Sequence, residues 1–68
     1  MRYFDYETIA RQAGIPADKL ARLAKSFADE EPNDLMLAEL HAMRACMAIK
    51  AGRLTVEEAL DDLHALAA

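Results

Sequence analysis

Very little in this 68-residue chain could hold it together apart from its own side-chain packing. A single cysteine, Cys46, excludes an intrachain disulfide. Tryptophan is absent, and of the four other aromatic residues three crowd the N-terminus as Tyr3, Phe4 and Tyr6. There are two glycines, Gly14 and Gly52, and two prolines, Pro16 and Pro32, all at helix boundaries, which excludes a loop-rich or low-complexity chain. The β-branched residues are few (Thr8, Ile9, Ile15, Ile49, Thr55 and Val56), which argues against strands. No apolar run approaches the ~20 residues of a membrane span. The opening Met-Arg-Tyr-Phe-Asp-Tyr-Glu is too acidic for a signal peptide. With the free thiol, these absences predict a cytoplasmic protein with no membrane partner.

What is abundant favours helix: Ala, Leu, Glu, Lys, Arg and Met dominate. Capping signals and apolar spacing predict an all-α, single-domain, four-helix bundle over residues 1–68, with helices at about 6–13, 17–28, 34–51 and 56–66. Asp5 caps the first helix and Gly14 ends it. Pro16 opens the second, whose Leu20, Leu23, Ala24, Phe27 and Ala28 share one face. Asp29 to Asn33 reads as a linker that Pro32 enforces, so that Pro32 or Asn33 begins the third helix. Thr55 and Glu58 form a capping box for the fourth, with Val56, Ala59, Leu60, Leu63 and Leu66 as its apolar stripe and Glu57, Glu58, Asp61, Asp62 and His64 facing water. Helices 3 and 4 are expected to form a C-terminal helical hairpin beside the first two.

The third helix is apolar on two sides. Met36, Leu40, Met43, Met47 and Ala51 gather on one; Leu35, Ala38, Ala42, Ala45, Cys46 and Ile49 gather nearly opposite. Glu39 with Lys50, and Asp34 with His41 and Arg44, form narrow polar seams between them. A helix apolar nearly all round is usually buried, so the bland expectation is a central core helix. The sharper one makes Met36, Leu40, Met43 and Met47 an interface for a second copy or another protein, because a chain this short has a thin core and methionine suits adaptable contacts.

Net charge is -4 but uneven: residues 1–27 carry five cations and three acids, residues 28–68 three cations and nine acids. A polyanion would meet the N-terminal part and be repelled by the rest. That part contains Ile9-Ala10-Arg11-Gln12-Ala13-Gly14-Ile15-Pro16-Ala17-Asp18-Lys19-Leu20-Ala21-Arg22-Leu23. The segment resembles the helix-turn-helix of Lac-type and Tet-type bacterial repressors: Ala10 is the small residue of the first helix, Gly14 the turn, Ile15 the aliphatic residue after it, and Ile9, Ala13, Leu20 and Leu23 the packing positions. The resemblance covers residues 9–23 and implies a DNA-binding transcription regulator with helix 2 in the major groove; joined to the apolar third helix, it gives the expectation of a regulator dimeric through helix 3. It places Ala17, Asp18, Ala21, Arg22 and Lys25 toward the groove, Arg22 as the base reader, and Lys19, Lys25 and Arg11 on phosphates. Pro16 stands where such repressors usually carry Ser or Thr, Asp18 puts an acid on the reading face, and no basic arm follows. The competing expectation is a protein-interaction module or small inhibitor docking through the Met-rich face.

No phosphate-binding glycine loop, nucleophile paired with a base, or carboxylate pair can be assembled, which predicts a non-enzyme without cofactor or small-molecule substrate. His41, His64 and Cys46 lack the tight spacing of a metal site. Tyr3, Phe4 and Tyr6 are expected to fold back as a cap on the core.

Overall fold

The computed structural model describes the backbone of residues 2–67 and the side chains of residues 2–61. Among these the chain forms four helices and no strand: α1 (Tyr6–Gln12), α2 (Ala17–Glu30), α3 (Leu35–Lys50) and α4 (Val56–Ala67). α2 follows Pro16 with no side-chain cap, while the other three begin where a side chain satisfies free N–H groups. The Asp5 side chain accepts from the Thr8 N–H, Asp34 accepts from the Leu37 N–H at 3.0 Å, and Thr55 and Glu58 exchange side-chain-to-backbone bonds at 3.0 and 3.1 Å. The N-cap of α3 is thus Asp34, not the expected Pro32 or Asn33, because a carboxylate at that position can accept from the first turn.

Both glycines end helices in the left-handed region, Gly14 at φ 76° and Gly52 at φ 78°. At the first, the Gly14 N–H bonds to the Arg11 carbonyl and the Ile15 N–H to that of Ala10 at 3.0 Å. This paired pattern normally brings an apolar residue just past the helix back onto its last turn. Ile15 and Ala10 accordingly lie buried in one cluster. α2 runs past the expected stop at residue 28 to Glu30; Lys25 pairs with Asp29 at 2.9 Å one turn on, which offsets the unfavourable acid near a helix C-terminus.

α3 is the axis of the fold, with α1 and α2 both lying along it and α4 lying along α2. The α4 stripe, Val56, Ala59 and Leu60, settles on Leu23 and Phe27 of α2 as well as on Ala45 and Ile49 of α3. Leu23 fits between because it is the large side chain at the centre of the apolar arc of α2, and it is wholly buried. A second cluster joins Ala10, Ile15 and Cys46, with Tyr6, Ile9, Ala13 and Leu20 packed around them; Ile49 and Val56 touch both clusters. Leu63 and Leu66 of the expected stripe, with Asp62 and His64, lie outside the described side chains. Among the described residues no helix is long and apolar enough to cross a membrane.

Candidate interaction surfaces

The buried arc of α3 consists of Ala38, Glu39, Ala42 and Cys46. At about 100° per residue the arc that follows Glu39 around the helix is Met43, Met36, Met47, Leu40 and Ala51, flanked by Lys50 on one side and Arg44 on the other. That arc faces solvent: Met36 is 52% exposed, Met47 51%, and Leu40 and Met43 are half-buried. The four predicted interface residues therefore share one face of α3, exposed at Met36 and Met47 and partly covered at Leu40 and Met43, and the expectation of α3 enclosed on both sides does not hold. Leu35, placed by its spacing on the inner side, is exposed instead. It sits at the mouth of a cleft of about 240 Å³ lined also by Tyr6, Ala24, Lys25, Ala28 and Ala42. The small side chains on this flank of α2 are too short to close over it.

Glu39 is the unexpected residue of α3. Placed by its spacing in a polar seam with Lys50, it is instead 4% exposed. Its carboxylate accepts the N–H groups of Arg2 at 2.8 Å, Tyr3 at 2.8 Å and Phe4 at 3.1 Å. Burial pushes its pKa up, but those backbone donors outweigh burial and hold it below the usual carboxylate value. Lys50 turns away to the Gln12 side-chain oxygen, 2.6 Å off. The N-terminal segment is thereby fixed beside Met36 and Met43, which lie one turn either side of Glu39. Tyr3 is exposed there, so of the three aromatic residues expected to cap the core only Phe4 and Tyr6 are half-buried. The signal available in sequence was an acid inside an arc otherwise made of Ala38, Ala42 and Cys46.

The α1–turn–α2 segment brings together the other predicted residues. Arg11, Ala17, Asp18, Ala21, Arg22 and Lys25 are all exposed, and the last five share the outward side of α2. Lys19 does not join them. It is half-buried and ion-paired with Glu57 of α4, whose carboxyl it holds below its ordinary pKa. Lys25 is paired with Asp29, and Arg11 bonds the Thr8 hydroxyl. The outward side of α2 thus carries Arg22 and Lys25 against Asp18 and Asp29, with no excess of positive charge. Cys46 is buried and its thiol pKa is pushed up by desolvation, while His41 stacks on Phe27 with ring centroids 5.7 Å apart. Both side chains serve packing. Among the described residues no three metal-ligating side chains converge.

Comparison with family models, with curated proteins and with solved structures finds no match to this chain.

Proposed function

We propose that this chain is a non-catalytic protein-interaction module whose working surface is the outer stripe of α3, Met36, Leu40, Met43 and Met47. The observation that carries this reading is that Met36 and Met47 stand in water at the two ends of the row, with half-buried Leu40 and Met43 between them, on the central helix of a very small domain. Exposed apolar side chains are ordinary singly but contiguous ones mark contact sites, and flexible methionines let such a site adapt to its occupant. A photoreactive residue at position 43 tests it: irradiation in cells gives a covalent adduct, whereas the same residue at exposed Asp61 gives none. Equal yields from both positions, or none from position 43, remove the reading.

A second reading, a helix-turn-helix regulator of transcription, is favoured by one observation. Ala10, Ile15 and Leu23 are buried about a Gly14 turn in the pattern of the resemblance, with Ala17, Asp18, Ala21, Arg22 and Lys25 outward. Its weakness is electrostatic, since DNA affinity rests largely on phosphate neutralisation and the outward side of α2 is balanced in charge. A mobility shift lost on raising salt and abolished by Arg22→Ala supports it; no retention on DNA at low salt removes it.

A further inference from the structure

We infer that the occupant of the α3 stripe is a second copy of the chain, its α3 running antiparallel. The inference rests on the reading of that stripe as a contact surface and names what covers it. The spacing is that of a helix–helix seam: positions 36, 40, 43 and 47 alternate steps of four, three and four, the repeat by which one helix keeps a single row of side chains against another.

That row is also its own mirror. Two antiparallel copies related by a twofold axis between positions 41 and 42 set Met36 against the second copy's Met47, and Leu40 against its Met43. Each large side chain meets another, and no position is left empty. A twofold contact needs one patch complementary to itself, and this register supplies it.

Charge selects the direction. Glu30, Glu31 and Asp34 cluster at the N-terminal end of α3, while Arg44, Lys50 and Arg53 lie toward its C-terminal end. Antiparallel copies bring acidic end to basic end twice, with Lys50 at the end of one α3 beside Asp34 at the start of the other. Parallel copies would set like against like at both ends. The helix dipoles add to the same preference. Glu39, which would have put a charge beside the seam, is withdrawn into the fold by the Arg2, Tyr3 and Phe4 N–H groups.

Cross-linking of single-cysteine additions tests the register. Met36→Cys and Met47→Cys alter exposed side chains, so both variants fold, and native Cys46 is buried and sets the background. In the antiparallel pair, position 36 faces position 47, and two copies of position 36 stand about 16 Å apart along the axis. An equimolar mixture under mild oxidation therefore forms the mixed 36–47 disulfide about tenfold or more faster than either variant cross-links to itself. Faster self-linking of Met36→Cys overturns the antiparallel register. A wild-type chain that sediments as a monomer, with adducts at position 43 to proteins of other mass, overturns self-pairing while leaving the stripe as a contact surface. Absence of any adduct at position 43 removes both.

Discussion

The buried Glu39 carboxylate accepts the Tyr3 N–H at 2.8 Å, tying the start of the chain to the middle of its central helix. Glu39→Gln keeps the shape but removes the charge that suits several donors at once. Hydrogen bonds to a charged group contribute more than neutral ones, so the variant is expected to lose about 1–3 kcal/mol of stability. Urea denaturation measures this, and amide exchange at Tyr3 and Phe4 should accelerate in parallel.

The same carboxylate sets a pH dependence. Its folded-state pKa lies below the ordinary carboxylate value, so the unfolded chain binds the proton more readily. The stabilisation is complete above the unfolded-state pKa and is lost as pH falls through the folded-state one. Wild type should therefore lose stability progressively on acidification below about pH 4.5, and Glu39→Gln should lose less over that range. Equal acid sensitivity of the two would assign the effect to other carboxylates.

Gly14 is needed for its backbone, not for space. A Cβ there would meet nothing within 4 Å, yet φ is 76°. Gly14→Ala is expected to cost about 1–2 kcal/mol, and Gly14→Asn less, because asparagine tolerates the left-handed region. Thermal denaturation ranks the three.

Leu23 and Met47 form a contrasting pair on neighbouring helices. Leu23 is wholly buried, and Leu23→Ala should cost about 2–5 kcal/mol by leaving a cavity. Met47→Ala should scarcely change monomer stability but should weaken association. A Met47→Ala variant that unfolds as readily as Leu23→Ala would place that side chain in the core.

The Lys19–Glu57 ion pair separates the two functional readings. Glu57→Gln frees a cation on α2 and removes an acid from α4. If α2 meets phosphates, the change tightens retention on DNA at low salt; if the chain acts through α3 alone, retention does not change.

Most of the secondary structure was legible because each boundary is set locally: Asp5, Gly14, Pro16, Gly52 and the Thr55–Glu58 pair act within a turn of themselves. The outward stripe of α3 was legible too, since helical spacing alone separates Met36, Leu40, Met43 and Met47 from Ala38, Ala42 and Cys46. What escaped depends on residues distant in sequence. Periodicity places Glu39 at a polar seam because it cannot reveal three backbone donors returning from residues 2–4. The repressor resemblance puts Lys19 on a phosphate because a local motif cannot see Glu57, 38 residues away, arriving beside it. That α4 also packs on α2 was not legible for a related reason: Val56, Ala59 and Leu60 meet Leu23 and Phe27 from far along the chain.

The most direct test of the account is sedimentation equilibrium of wild type and Met43→Glu from about 1 µM to about 1 mM. Wild type should pass from monomer to dimer across this range, while Met43→Glu, with equal helix content by circular dichroism, should stay monomeric throughout. A wild-type monomer at every concentration, or a Met43→Glu variant that dimerises as readily, would contradict it.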